Sequence, residues 1–518
     1  MAASSPHLRE WVRAGVLDNA QGYVMPKQNE VEIKLRLDPE KIRNFANSEG
    51  FAGVQPLKKH YRTTYFDDNK HHLFKSGFEL RVRHDGHDSI QTLKTATSVD
   101  RGEWEREAAD GEPSLEGIEA AGLAKLRRRG ITLRRMFWLE VDRGTWSLRR
   151  GGACIELALD EGKMEADGRE RPIREAELEL KSGEPDYLYE LAQKICKESA
   201  ATPIFVSKGA HGHRLAEGLD DAPAGGLTLH IKGDVSVADA FQTIVDECLK
   251  QFSSNAEILE TAIDSEAVHQ ARVAIRCLRA AFSMFKDVVV GEDADAARRE
   301  LKWLSILLGE ARDLDVFLEN RMKQVALEHP DVPGVRELAR RLESMRDRAR
   351  HRLDGALHSD RFRALLLGVA RCAHHGAWRR DGGLFTDFAL DTLEQRLNSV
   401  RRKRKAVRGL DAHKRHRLRI KAKKLRYMFE FLKPVASRKA VGAVSDQLER
   451  LQDLLGTLND VIAGERLLGQ LVEESGAPIV GFAADLVREA MAASPKIKRK
   501  AIKAHAELRR LQPFERGL

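Results

Sequence analysis

From residue 29 to about 215 the chain alternates apolar and polar positions with a period of two; from about 235 onward the period lengthens to that of a helix. In an extended Glu30-Val31-Glu32-Ile33-Lys34, the three charges share one face, while Val31, Ile33 and Leu35 share the other. Further strands are expected at Lys58–Phe66, Phe78–His84, Ile90–Ala96, Glu103–Ala108, Phe137–Arg143, Thr145–Arg149, Ala153–Asp160, Arg174–Leu180 and Pro203–Ser207. Helices are expected at Asp38–Glu49 and Tyr187–Ser199. Many antiparallel strands in one small domain predict a barrel or sandwich. Residues 216–234, rich in Pro and Gly, read as a linker. Ser236 and Asp239 then form an S-x-x-D helix start, after which strand patterning ends. The expected architecture is α+β in two domains: a disordered leader at 1–24, a β domain at 25–215, the linker, and a helical domain at 235–512.

Composition narrows the partners. Of 518 residues 32% are charged and 6% aromatic, and no apolar run approaches the length of a membrane span. The five cysteines are scattered without a C-x-x-C, which fits a reducing cytoplasm rather than a disulfide framework. Residues 1–234 carry a net charge of −3 and residues 235–518 carry +12, so an anionic partner is expected in the second half.

The alternating charges recur along the first half. Arg81 and Arg83 share a face, as do Glu103 and Glu105, and Glu177 and Glu179; Lys94, Arg101, Arg135 and Lys208 add cations. Charged rows on so many strands leave two arrangements, a charged outside or a charged lumen. The ordered motifs decide for the lumen by resemblance. E-x-E-x-K at Glu30–Lys34, L-R-V-R at Leu80–Arg83, Q-T-L-K at Gln91–Lys94, R-G-E-W-E at Arg101–Glu105, I-E-L-A-L-D at Ile155–Asp160, E-L-E at Glu177–Glu179 and S-K at Ser207–Lys208 resemble the CYTH domains of triphosphate tunnel metalloenzymes. The resemblance implies an antiparallel β-barrel open as a tunnel and hydrolysis of inorganic triphosphate. Glu30, Glu32, Asp160, Glu177 and Glu179 would hold Mg²⁺ or Mn²⁺, hard ions suited to carboxylates. Arg81, Arg83, Lys94, Arg101, Arg135 and Lys208 would clamp phosphoryl oxygens. Lys34 would bind phosphate or assist proton transfer beside Glu30 and Glu32. Thiamine triphosphate and ATP remain alternative substrates, and a non-catalytic, granule-associated polyphosphate binder is the alternative function. Relatives often carry Arg three residues after the S-K lysine, where this chain has His211.

The second half repeats itself. His269-x-x-Arg272-x-x-x-Arg276-x-x-Arg279 recurs 147 residues later as His416-x-x-Arg419-x-x-x-Lys423-x-x-Arg426. Leu308-Gly309-x-x-x-Asp313 recurs at the same offset as Leu455-Gly456-x-x-x-Asp460, which argues for duplication of a helical unit. Each first motif spans an arc of roughly 80° and forms one basic stripe. Val273, Ile275, Leu278, Leu418, Ile420 and Leu425 are expected to pack, and the aspartates to anchor helices or pair with the arginines. Scarce aromatics near the stripes disfavour nucleic acid, and the lack of bulky apolar neighbours disfavours a membrane. This half resembles the CHAD domain, which implies polyphosphate binding by the eight stripe residues.

Overall fold

The computed structural model describes residues 31–38, 41, 55–95, 102–108, 111–118, 122–231, 234–328, 331–378, 383–403, 407–408, 412–435, 442–458 and 477–511. Glu30, Arg101 and Asp460, the leader 1–24 and nearly all of the expected helix at Asp38–Glu49 lie outside the described residues. The chain divides into two compact units. One runs through Gly225 and adds Leu249–Ile258 and His358–His375; the other comprises Gly226–Cys248, Leu259–Leu357 and the chain from Gly376 on.

The first unit is built on nine strands: β1 Val31–Arg36, β2 Leu57–Asp67, β3 Phe78–His84, β4 Ser89–Thr95, β5 Glu103–Glu107, β6 Arg134–Arg150, β7 Ala153–Ala166, β8 Arg169–Ser182 and β9 Thr202–Ile204. They form one antiparallel sheet in the order β5-β4-β3-β2-β6-β7-β8-β1-β9. The order begins at β5 and ends at β9, so among the described residues hydrogen bonding does not close the sheet into a barrel. The two strands expected around Gly144 are one, because Gly144 stays in the ladder opposite both Lys58 and Leu159.

One sheet face is apolar. Ile33 and Leu35 of β1 stand opposite Leu178 and Ala176 of β8, all buried. Helix α3 (Pro185–Ser199) lies against these strands with Leu188, Leu191, Ala192 and Ile195 buried. Its Pro185 suits a helix start, since proline lacks the N–H that the first turn leaves unpaired. The short helices α1 (His72–Lys75) and α2 (Leu123–Arg128) cover the far end through a cluster holding Leu73, Phe78, Leu80, Leu93 and Leu126. The opposite face meets α4 (Lys208–Ala216), whose Leu215 packs with Tyr65, Phe137, Leu139, Val141 and Met164. The sequence pattern did not foresee this helix, which is short and glycine-rich; its start is fixed by Ser207, whose Oγ accepts from the Ala210 N–H at 3.0 Å.

The second unit is helical, as expected. After α5 (Val237–Thr261) come α6 (Ser265–Met284), α7 (Glu292–Val316), α8 (Lys323–Glu328), α9 (Pro333–Leu357), α10 (Asp360–His375), α11 (Phe385–Arg401), α12 (Ala412–Leu432), α13, whose described part is 442–458, and α14 (Ala477–Arg510); α10 and the Leu249–Ile258 stretch of α5 belong to the first unit. The predicted cap is present: Ser236 Oγ accepts from the Asp239 N–H at 3.1 Å. Phe241, Phe282, Phe285 and Phe385 are buried together, with Phe241 edge-on to Phe282. Among the described residues no helix is long and apolar enough to cross a membrane.

Candidate active site

Strand register collects the charges. Paired residues of adjacent strands project to the same face, and the pairs run Glu103↔Lys94, Lys94↔Glu79, Arg81↔Tyr65, Thr63↔Arg83, Arg143↔Asp160, Asp160↔Glu175, Ala158↔Glu177, Glu177↔Lys34 and Glu179↔Glu32. The face carrying α4 is therefore the charged one. The sheet curls enough for Ser207, after β9, to donate from Oγ to Glu79 Oε1 of β3 at 2.7 Å. Tyr61, Thr63, Tyr65, Arg81, Arg83, Leu139, Val141, Arg143, Asp160 and Lys208 line a small cavity of about 20 Å³ on this face.

Glu177 is the hub. Its Oε1 accepts from Lys34 Nζ at 2.9 Å and Lys208 Nζ at 2.7 Å, and its Oε2 from Arg143 Nη2 at 2.7 Å. Arg143 also grips Asp160 bidentately, with both contacts at 2.6 Å. Lys208 reaches Asp160 at 3.0 Å and Glu175 at 2.8 Å, and Lys34 reaches Glu32 at 3.1 Å. Burial opposes the charged form of Glu177, but Lys208, Lys34 and Arg143 hold its pKa well below the usual carboxylate range. Burial likewise opposes the charge on Lys34 and Lys208, and the carboxylates overcome it, so both pKa values are raised. Arg83 differs. Burial, then Arg81 and Arg143, push its pKa down. Its guanidinium lies 5.0 Å from the Tyr61 ring centre, and among the described residues it has no ion-pair partner.

The expected residues divide by position. Glu32, Lys34, Asp160, Glu177, Glu179, Arg81, Arg83, Lys94 and Lys208 share the charged face, with Lys94 paired to Glu103 at 2.9 Å and Glu179 to Lys181 at 2.6 Å. Arg135 does not join them. A bulge between Tyr65 and Phe66 sets Arg135 opposite Phe66, which packs on the other face, and Arg135 is exposed. Among the described residues no three His, Cys, Asp or Glu side chains are gathered as a ready metal site, since Asp160 and Glu177 are turned onto Arg143, Lys34 and Lys208. Arg143 escaped the sequence reading, though a signal was present: it continues the buried row Phe137, Leu139, Val141, where an arginine needs a partner.

His211 does not join the ion pairs around Glu177. It is buried at 5% exposure with Nε2 3.6 Å from Glu257 Oε1, and burial lowers its pKa. Helix α4 sits tightly: a Cβ at Gly212 would lie 2.0 Å from the Phe137 ring. Gly212→Ala is expected to destabilise by about 2 kcal/mol despite alanine's better helix propensity, because overpacking a core outweighs it. Gly368→Ala in α10, where a Cβ meets nothing within 4 Å, is the control and should be neutral or stabilising by about 0.5–1 kcal/mol in thermal melts.

The two basic stripes of the helical unit meet. His269, Arg272, Arg276 and Arg279 lie half-buried along α6, and Arg419, Lys423 and Arg426 along α12, with His416 exposed. Burial, followed by Arg276, Arg419, Arg272 and Arg426, lowers the Lys423 pKa to about 6. Burial and Arg272 lower that of Arg276 to about 10. The duplication is visible in contacts at the same 147-residue offset. A Cβ at Gly309 would lie 3.8 Å from Arg272, and one at Gly456 3.8 Å from Arg419. Arg279 donates to Ser305 Oγ at 2.8 Å, and Arg426 to Gln452 Oε1 at 3.2 Å. Asp313 pairs with Arg272 at 2.6 Å. Ile420, expected to pack, is 41% exposed.

Residues 28–207 match the model of the CYTH domain and residues 243–469 that of the CHAD domain. The chain is a CYTH–CHAD protein. It is 29% identical over 196 residues to an inorganic triphosphatase of Haemophilus influenzae, covering 36% of this chain and about half, 54%, of that protein. An uncharacterized protein of Mycobacterium tuberculosis is 24% identical over 482 residues, 86% of this chain and 90% of its own length. Among solved structures, the CHAD domain of the plant Ricinus communis is 27% identical, covering 57% of this chain and 99% of that one, with a TM-score of 0.48.

Proposed function

We propose that the CYTH unit hydrolyses inorganic triphosphate to diphosphate and phosphate with a divalent cation, and that the CHAD unit binds polyphosphate. The carrying observation is Arg83, a guanidinium that has no ion-pair partner among the described residues and lines a cavity with Arg81, Arg143 and Lys208. Mutual repulsion among these cations is relieved by a multiply charged anion. The triphosphatase relative and the CYTH match support the substrate class. The curl that brings Ser207 to Glu79 supports enclosure of the substrate in a tunnel.

Glu32 and Glu179 are register partners, each paired with a lysine, Lys34 at 3.1 Å and Lys181 at 2.6 Å, that a divalent cation would displace. With Glu177, and Glu30 beyond the described residues, they offer only oxygen donors, which fits Mg²⁺ or Mn²⁺. When bound, such an ion neutralises phosphoryl charge and acidifies water. Arg81, Arg83 and Lys208 would orient the triphosphate, with Lys94 of β4 on the same face. Lys34, 2.9 Å from Glu177 and 3.1 Å from Glu32, would bind a phosphoryl oxygen or assist proton transfer beside them. Cytoplasmic polyphosphate granules are the setting this reading implies.

The test is phosphate release by the full chain from tripolyphosphate, ATP and thiamine triphosphate in parallel, with Mg²⁺ or Mn²⁺. Tripolyphosphate should turn over fastest, and Glu32→Ala should cost about a hundredfold or more. Turnover no greater than that of the Glu32→Ala chain would overturn the proposal in favour of a protein that only binds.

A further inference from the structure

Glu257 lies on α5, in the stretch Leu249–Ile258 that belongs to the sheet-bearing unit. The stretch is docked by backbone contacts. Asn255, fully buried, accepts from the Ala224 N–H at 3.1 Å and donates to the Ala224 carbonyl at 2.9 Å, and Ser253 Oγ accepts from the Phe205 N–H at 3.4 Å. From this anchored turn the Glu257 side chain, 11% exposed, faces three basic groups on three elements. Its Oε2 accepts from Arg171 Nη2 of β8 at 2.7 Å. Its Oε1 lies 3.5 Å from Arg36 Nη1 of β1 and 3.6 Å from His211 Nε2 of α4. Arg171 is held besides by both oxygens of Asp220 at 2.9 Å.

Arg36 stands two residues beyond Lys34 on the same face of β1, and His211 one helical turn beyond Lys208. The two lysines meet at a single atom, Glu177 Oε1. We infer that Glu257 is a positioning residue for this pair: hydrogen-bonded to Arg171 of β8 and lying against Arg36 of β1 and His211 of α4, its carboxylate fixes where Lys34 and Lys208 present their ammonium groups. This rests on the reading of the charged face as a triphosphate site. A phosphoryl clamp depends steeply on placement, and an error near 1 Å costs up to about a hundredfold.

The experiment is a double-mutant cycle in the full chain, with tripolyphosphate hydrolysis as readout and circular dichroism as the check on folding. Glu257→Gln should lower kcat/KM about tenfold or more with the spectrum unchanged. In a Lys208→Met background the same change should cost less than about threefold, because the main group it positions is gone. Wild-type kcat/KM in Glu257→Gln, or an equal loss in both backgrounds as a general stabilising contact gives, would overturn the inference. If Glu257→Gln does not fold, His211→Gln removes only the grip on α4 and is judged by the same cycle, with an expected loss of about threefold that vanishes beside Lys208→Met. A wild-type chain without turnover is a separate result: it overturns the triphosphatase reading and this inference with it.

Discussion

Lys208→Met is expected to reduce tripolyphosphate hydrolysis by about 10²–10³-fold, comparable with removing one preorganised charge-stabilising donor. Lys208 projects from the first turn of α4 and touches Asp160, Glu175 and Glu177 within 3.0 Å. No other cation meets all three among the described residues. Its loss leaves neighbouring carboxylates to Arg143 and Lys34 alone, so stability should fall as well, by about 3–5 kcal/mol for a broken buried pair. The acid limb of the stability curve separates the two effects. The Glu177 pKa is depressed in the folded state, so its contribution is complete above the ordinary carboxylate pKa and fades as pH falls through the folded value. Without Lys208 the folded value rises towards the ordinary one, so the contribution should be smaller and its loss complete at a higher pH. Calorimetric melts from pH 3 to 8, beside assays well below the melting temperature, check both. Wild-type turnover in a folded Lys208→Met chain would remove Lys208 from the site.

Reversing the charge at both Arg276 and Arg419 should abolish polyphosphate binding by the full chain, a loss of about 3 kcal/mol or more, while tripolyphosphate hydrolysis persists. The two arginines come from the two copies of the repeat and both act on Lys423. That lysine also gives the binding a pH signature. Its pKa of about 6 leaves it neutral in the free protein at pH 7.5. A polyanion favours the ammonium, so binding should take up a proton and strengthen as pH falls from 8 towards 6. Without the anion, the unfolded chain binds more protons than the folded one between that value and an ordinary lysine pKa of about 10.4, so stability rises with pH across this window. Calorimetric titrations with long-chain polyphosphate in buffers of different ionisation enthalpy would measure the uptake. Unchanged affinity in the double reversal would locate the anion site elsewhere.

What could be read from the sequence followed from periodicity. Phe78–His84 is a strand with the predicted bounds, and the Ser236 cap opens the helical part, because alternation and capping are local properties. The 147-residue offset was legible because duplication preserves spacing, and the contacts of Arg272 and Arg419 with Gly309 and Gly456 repeat with it. Three features depended on neighbours distant in sequence. The bulge after Tyr65 sets Arg135 aside, and no residue near Arg135 announces it. Arg143 is needed only because β7 and β8 bring Asp160 and Glu177 to it. Glu257 sits in what reads as an ordinary amphipathic helix, and its role exists only once α5 lies against β1, β8 and α4.

The repeated contacts of the helical unit bear on the kind of ligand that can use it. Nucleic acids and peptides have direction, so a site reading them must tell head from tail. Arg272 beside Gly309 and Arg419 beside Gly456, with Arg279 and Arg426 each tied one helix away, present one vocabulary twice. Related by a two-fold axis, two such copies would meet the two ends of a strand alike. An unbranched phosphate chain has no ends to distinguish: it can enter in either sense, and slide by a whole phosphate without changing what the protein meets.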